Sequence, residues 1–420
     1  MSEWKKVKLK DICSDIIDCV NKTAPVCDYE TPYKMLRTSD IRNGQINTEG
    51  LKCVSKETFE KWNRRGYLQK GDVIFTREAP VGEVGWLKDP KNLFLGQRLM
   101  FFRADNKKCD NRFLFYSLFF SENKRSIIAK SNGSTVNHLR VPDCENIEID
   151  IPDLQTQQNI ASILSRYDSL IENYQKQIKL LEEAAQRLYK EWFVDLRFPG
   201  HESTKIVDGV PEGWEKKRLI DIAKLKAGGD KPEVFSKVKT SELKVPIFSN
   251  GTIEDGLYGY TEIAEINDQC VTISARGSVG YTVLRRKPFV PIVRLISVIP
   301  SNIYVGYLYF FIKGMPIESN GAAQQQITVP MIKNKEVIIP PDIILDSFKE
   351  KEESYFRAIE NYKEQILSLS EARDRLLPKL MSGEIAVEGR RPERPLSCQP
   401  NGNALGMETE TNNRPVGAKD

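Results

Sequence analysis

The sequence predicts a mixed α/β (α+β) chain duplicated in tandem: two globular domains separated by two long antiparallel coiled-coil helices, with approximate two-fold symmetry. Three observations predict it. Short stretches recur in the same order about 190 residues apart. Each copy opens on a mixed region broken by glycine, proline and asparagine. Each copy closes on a long run of apolar residues at steps of three and four, the spacing of a helix with one buried stripe.

The repeat is read from matched stretches. "SLIENYQKQIKLL" begins at Ser169 and "AIENYKEQILSL" at Ala358, so Ile171 recurs as Ile359, 188 positions on. Ser131-Asn132-Gly133 with Ser319-Asn320-Gly321, Val141-Pro142 with Val329-Pro330, and Ile151-Pro152 with Ile339-Pro340 share that offset. Upstream the offset widens in one direction: 191 for Phe119 and Phe310, 196 for Arg98 and Arg294, 198 for Val81 and Val279, 199 for Arg77 and Arg276, 210 for Trp4 and Trp214. Matches that keep their order while the offset drifts are a duplication with small deletions in the second copy. A period this long is a whole domain with an appendage, not a solenoid unit.

Composition sets the class. The chain has 420 residues, 40% hydrophobic and 29% charged, with a formal charge of +4, which is ordinary for a globular protein of two or three cores. The charge permits nucleic-acid binding without arguing for it. Eight cysteines with no C-x-x-C pair suit a reducing cytoplasm and speak against a zinc site or a disulfide framework. The start "MSEWKKVKLKDICSDII" has no apolar run of the signal-peptide kind. No stretch of 18 apolar residues exists to span a membrane.

The elements follow in order. Residues 1–152 and 211–340 are the two globular domains, with β-rich runs such as "DVIFTR", "RLMFFRA", "CVTISAR" and "LISVIP". A helix recurs as "NRFLFYSLFFS" and "NIYVGYLYFFIKG", its aromatics at core spacing. Residues 153–200 form the first helical spacer, whose seam is Tyr167, Ile171, Tyr174, Ile178, Leu181, Leu188 and Trp192. Residues 341–386 form the second, with Tyr355, Ile359, Tyr362, Ile366, Leu369, Leu376 and Leu380 at the matching heptad places. Each stripe needs a partner, and the matching helix of the same chain is the economical one. The first helix is expected to stop at Pro199 and Gly200, and the second, which carries Pro378, near Gly383. A helix of 28 residues from Leu164 to Glu191 would span roughly 40 Å, close to the ~34 Å of one turn of B-DNA. Residues 387–420 are polar, rich in Pro, Gly and Asn, and expected to be disordered.

Catalytic constellations are missing from the sequence. It has no G-x-x-x-x-G-K-[ST] phosphate loop. It has no Asn- or Asp-Pro-Pro-aromatic tetrapeptide for holding a flipped base, and no Pro-Asp followed within about thirty residues by acidic-x-Lys as in metal-dependent nucleases. The two histidines, His138 and His201, are far apart in sequence, and no Cys/His cluster offers metal ligands.

The duplicated plan and several local stretches resemble the specificity subunit of Type I restriction-modification systems. "EWKKVKLKDIC" and "VPEGWEKKRLIDIA" look like the family's openings to a target-recognition domain; "LYKEWFVDLRFPGHE" and "RDRLLPKLMSGEI" look like the ends of its helical regions. The similarity covers residues 3–386. The resemblance implies a subunit with no catalysis and no cofactor of its own. Each recognition domain would read one half of a bipartite site in double-stranded DNA. The helices would fix the spacer and dock two modification subunits that use S-adenosylmethionine. Restriction subunits using ATP and Mg would complete the complex, in the cytoplasm and away from any membrane. The departure from the family pattern is the tail from 387 on.

The repeat singles out DNA-contact candidates. "TREAPVG" and "SARGSVG" carry Arg77 and Arg276, with Ser278 beside the latter, and each ends on glycine, Gly82 or Gly280. Either arginine suits bidentate contact to guanine or phosphate, or a salt bridge that serves the fold. "SNGSTVNHLR" and "SNGAAQQQITV" share a frame but differ in polar content: Ser134, Thr135, Asn137 and His138 against Gln324, Gln325 and Gln326. A shared frame with differing amides is what two domains reading different bases would carry; the alternative is a solvated loop. Lys61, Arg64 and Arg65 fit phosphate contact or a solvated face. The competing functions are a coiled-coil scaffold whose domains bind protein, and an enzyme with an unrecognised active site.

Overall fold

The structure, a computed structural model, describes residues 4–131, 137–316 and 326–387. The chain divides into two compact units, Met1–Ser165 with Arg375–Asp420, and Arg166–Asp374. The expected tail, 387–420, lies outside the described residues except for Val387.

In unit 1, strand Lys5–Lys8 pairs antiparallel with Glu148–Ile151 and so ties the entry of the domain to its exit. A single turn of helix, Leu9–Ile12, buries Leu9 and Ile12 and swings the chain into a four-stranded antiparallel sheet. Its order is Cys13–Asp18, Leu99–Ala104, Val73–Thr76, Val84–Trp86. A second sheet runs Lys52–Cys53, Lys34–Leu36, Leu93–Leu95, the last pair parallel. Helix Asn111–Phe119 is capped by the Asp110 carboxylate, which accepts from the Phe113 amide. This cap satisfies one of the free N–H groups of the first turn.

Unit 2 repeats the plan. Glu215–Arg218 pairs antiparallel with Glu336–Ile339. The four-stranded sheet runs Ala223–Ala227, Ile296–Pro300, Cys270–Ile273, Thr282–Arg285. The three-stranded sheet runs Leu257–Thr261, Val245–Phe248, Val290–Pro291, again with one parallel pair. Helix Val305–Gly314 follows, its aromatics in the core as expected. The duplication is therefore one of strand order and pairing, not only of letters.

The first long helix begins ten residues before the expected Leu164, and the second lies within the expected 341–386. The first spans Leu154–Tyr189, 36 residues, or ~54 Å; the second spans Asp342–Met381, 40 residues, or ~60 Å. Asp153 starts the first, its carboxylate accepting from the Thr156 amide at 3.0 Å. The expected stop at Pro199 is not what ends it. After Tyr189 the helix widens into a π turn, Lys190–Val194, and the chain leaves helical geometry at Leu196, whose φ is +55°. The wider turn buries Trp192 and Phe193 together, where 3.6-residue spacing predicted Trp192 alone. The second helix ends at Met381, and the turn after it passes through Gly383, whose φ is +73° and where a Cβ would meet the Trp4 indole at 2.8 Å.

Every predicted seam position is buried or half-buried. In unit 2 the partners run antiparallel: Asp168 meets Arg373 at 2.9 Å, Tyr174 stacks on Tyr362 at 5.0 Å, and Tyr189 lies 6.3 Å from Phe348. The helices are walls of the domain cores. Ile160, Leu164, Leu377, Leu380 and Met381 belong to the unit 1 core, and Ala185, Tyr189, Trp192, Leu345 and Phe348 to the unit 2 core.

Phe348 is fully buried while Leu367, on the same helix, is 62% exposed. Phe348→Ala should destabilise unit 2 by about 3–5 kcal/mol, and Leu367→Ala should stay within about 0.5 kcal/mol. Urea midpoints measure both; equal losses would contradict this assignment of the buried face.

Candidate functional site

In each domain the strand that ends the β run turns back through a glycine held in left-handed backbone. The Gly82 amide donates to the Thr76 carbonyl, and the Gly280 amide to the Ser274 carbonyl, both at 2.9 Å. Their φ values are +86° and +83°. The segment returning toward the helix docks beside this turn: the Leu139 amide donates to the Arg77 carbonyl, and the Ile327 amide to the Ala275 carbonyl, both at 3.0 Å. These bonds pair Arg77 with Ala275, and so Glu78 with Arg276. The expected equivalence of Arg77 and Arg276 is off by one residue, because the letters match across a one-residue shift that the hydrogen bonds do not share.

The two arginines accordingly do different things. Arg77 is half-buried. It pairs with Asp18 at 2.7 Å and donates to the Leu139 carbonyl at 3.0 Å. Asp18 also takes Arg65 at 3.1 Å, so both guanidiniums clamp the end of the first sheet strand. Arg77 thus shows the fold-serving salt bridge of its two sequence readings. Arg276 and Ser278 are exposed, and Arg276 makes no ion pair among the described residues. Asn137 and His138 are exposed beside the unit 1 turn, where the His138 backbone forms an isolated antiparallel β-bridge with Glu78. Gln326 is half-buried next to Ile327. Ser134, Thr135, Gln324 and Gln325 lie outside the described residues.

A further pair at the same edge escaped the sequence reading. Arg98 and Arg294 both hold positive φ, +71° and +62°. The repeat matched them only as landmarks. Left-handed backbone at a residue with a Cβ costs of order 1–3 kcal/mol, and such residues cluster at functional sites. Arg98 accepts the Arg77 amide and pairs with Glu78 at 3.3 Å. It lines a small cleft with Thr23, Arg37 and Gln97. In unit 2, Arg294 is exposed. Asn250 joins the edge there, its amide donating to the Val293 carbonyl at 2.7 Å while its oxygen accepts the Ala275 amide at 2.7 Å. Each domain therefore presents an edge of arginine and amide groups on one shared backbone frame. Such groups can make forked hydrogen bonds to phosphates or base edges.

Where helix meets domain, the two units use different polar contacts. In unit 1, Gln157 is buried at 1% exposure; its oxygen accepts the Asp110 amide, and its amide donates to the Pro152 carbonyl. In unit 2, helix Val305–Gly314 has no side-chain cap of its own. Glu352 of the long helix stands at that helix start, with no solvent exposure, bonded to the Tyr304 hydroxyl and paired with Arg286 at 3.4 Å. A carboxylate there complements the helix dipole. Burial is the largest influence on Glu352 and pushes its carboxyl up, against the Tyr304 hydroxyl and the Arg286 charge, which pull it down.

Among the described residues no cluster of three or more His, Cys, Asp or Glu could hold a metal ion. No described helix is long and apolar enough to cross a membrane. The His201 ring nitrogen faces the Phe198 carbonyl at 2.9 Å, a contact that serves the turn after the first long helix.

Comparisons with known proteins agree on one family. The model of the Type I restriction modification DNA specificity domain matches residues 1–183 and 211–353. The chain is similar to the MjaIX specificity subunit of Methanocaldococcus jannaschii, 31% identical over 414 residues, covering 92% of this chain and 94% of that one. It is 23% identical to the HindI specificity subunit of Haemophilus influenzae, over 92% of this chain and 100% of that one. In fold it resembles the crystal structure of a Type-I restriction-modification system S subunit from M. genitalium, with a TM-score of 0.53 at 18% identity, covering 90% and 96% of the two chains.

Arg77→Ala should cost about 1–3 kcal/mol of unit 1 stability, since it removes one of the two guanidiniums on Asp18 and the side-chain donor to the Leu139 carbonyl. Arg276→Ala should stay within about 0.5 kcal/mol; thermal or urea unfolding that ranks them the other way would refute the assignment. For Glu352 the folded state holds the proton more tightly than the unfolded chain, whose carboxyl titrates near ~4.3. Its contribution therefore declines as pH rises from about 4.3 through the folded-state pKa. Glu352→Gln should flatten that decline in unit 2, read as urea midpoints between about pH 4.5 and about pH 7.5; an unchanged profile would remove Glu352 as its source.

Proposed function

The chain belongs to the family of Type I restriction-modification DNA specificity subunits, and from that premise we propose that each of its globular domains reads one half of a bipartite DNA target. Members of the family are the non-catalytic, sequence-recognising component of their systems, and that is the role of this chain. A protein-binding scaffold without DNA specificity is not favoured.

The observation that carries the two-half reading is the repeated edge. One backbone frame recurs in both domains and keeps an arginine, Arg98 or Arg294, while the other exposed and half-buried side chains differ: Gln97, Asn137 and His138 in one, Asn250, Arg276 and Ser278 in the other. A fold that needed only packing would keep such positions apolar or indifferent. Arginine takes guanine or phosphate in a fork, and asparagine or glutamine takes adenine. The remaining candidates, Ser134, Thr135, Gln324, Gln325 and Gln326, belong to the same returning segments and are proposed with them.

The long helices are the ruler of this proposal. They set the number of unread base pairs between the half-sites and offer their outer faces to two modification subunits. Those subunits bring S-adenosylmethionine and methylate adenine. Restriction subunits using ATP and Mg join the same complex, which works on DNA in the cytoplasm.

The test is single-molecule methylome sequencing of the source strain with the gene intact, deleted, or shortened by one matched heptad in each long helix. Deletion should erase one bipartite adenine-methylated motif. The shortened form should methylate the same half-sites with a spacer reduced by roughly three base pairs, because a heptad is ~10 Å of helix. Survival of every motif on deletion would overturn the DNA-recognition reading, and altered half-sites in the shortened form would overturn the ruler.

A further inference from the structure

Unit 2 contains a cleft of about 630 Å³ with walls from strand Thr282–Arg285, helix Val305–Gly314 and both long helices. That size falls within the ~300–1,000 Å³ of clefts that hold small organic ligands. Five cations line it against three acids, Glu182, Asp255 and Glu360. Half-buried rings of Tyr281, Tyr309 and Phe356 face the same space.

Arg285 is the unusual member. It is 6% exposed. Its guanidinium donates to the Thr272 hydroxyl and the Asp255 carbonyl, and lies 3.6 Å from the ring centre of Phe248. Among the described residues no carboxylate pairs with it. The nearby Asp255 carboxylate is taken by the Tyr281 hydroxyl at 2.8 Å and acts on Arg285 only at longer range. Burial pushes this arginine down to about 10. The fold does not require a cation here. Strand pairing places Arg285 opposite Cys270, as Leu87 stands opposite Asp72 in the first domain, and Leu87 is a buried core residue. Unit 2 thus buries a guanidinium where its repeat buries leucine. A buried charge without a paired opposite charge is costly, and a cavity beside it is where an anion would sit.

We propose that this cleft binds a nucleoside phosphate, its phosphate forked by Arg285 and screened by Lys287, Lys313 and Lys363, its base stacked on the tyrosine and phenylalanine rings. A guanidinium fork matches phosphate oxygens, and aromatic faces accept any base. Inorganic phosphate alone would leave the rings and most of the volume unused. The cleft borders the Arg276 turn at Gly280, but its phosphate- and base-facing side chains are not those of the Arg276 and Arg294 edge, and the proposal does not rest on that reading.

The test is isothermal titration of the purified full-length chain with AMP, inorganic phosphate and adenosine in parallel. AMP should bind at least tenfold more tightly than either fragment. The double variant Lys287→Ala, Lys363→Ala alters only the rim and should weaken AMP at least tenfold while affinity for target duplex stays unchanged. Arg285→Leu, which places the first domain's side chain at this position, should abolish AMP binding with folding intact by circular dichroism. No AMP binding by the wild-type chain would overturn the proposal. So would phosphate binding as tightly as AMP. Duplex DNA that competes with AMP and weakens in step with it in the rim variant would also overturn it, assigning the cleft to the DNA interface instead.

Discussion

Everything in this protein depends on the burial of the two amphipathic helix stripes. A helix of this length with one apolar face is not stable alone in water. Here the stripe is covered twice over. Over its middle it meets the other long helix, with Tyr174 stacked on Tyr362 and Asp168 paired with Arg373. Toward its ends it becomes a wall of a domain core, where Leu164 and Leu380 in unit 1 and Tyr189 and Phe348 in unit 2 are all buried. Each domain is therefore incomplete without segments of both helices. A recognition domain held in this way is fixed to its helix by core packing, which is stiff, and not by a tether.

On that stiff base the two copies have drifted where the fold allows it. Sheet order, entry and exit pairing and the glycine turns are kept. What differs is polar. Leu164 and Phe113 in the first copy are both core residues, whereas the corresponding part of the second carries Glu352 bonded to Tyr304. Leu87 gives way to Arg285. These replacements bury charge, which stability alone does not favour. Exchanges of this kind mark the second domain as more than a copy of the first.

Much of the fold was legible in the sequence. The 3.6-residue period of the stripe is a local signal, and Ile171, Tyr174, Ile359 and Tyr362 announce it twice. The repeat made the tandem domain plan readable, since two sequences of one fold share only what the fold demands, but strand order was not read from it. The length of the first helix was underestimated because its first turns, near Gln157, are buried by the domain and carry no clean periodicity. The end of the first helix was misplaced because a π turn at Lys190–Val194 leaves no compositional mark. The site was less legible. Letter matching aligned Arg77 with Arg276, but alignment by hydrogen bonds pairs Arg77 with Ala275. Arg98 and Arg294 matter through their backbone angle, which arginine does not advertise. Arg285 and Glu352 matter through burial in a half-polar stretch, and nothing local in sequence distinguishes a buried cation from a solvated one.

Unit 1 is discontinuous in sequence, since Leu377, Leu380 and Met381 finish a core begun at Leu9. Unit 2 is a single uninterrupted stretch, Arg166–Asp374. On a ribosome the order of emergence is thus the reverse of the order of completion. The first domain to leave the exit tunnel waits, with part of its apolar surface uncovered, for more than two hundred residues of nascent chain. The second can close before synthesis passes the last turns of its helix. A stalled or truncated message would release a chain whose later half is folded and whose earlier half is prey to chaperones and proteases.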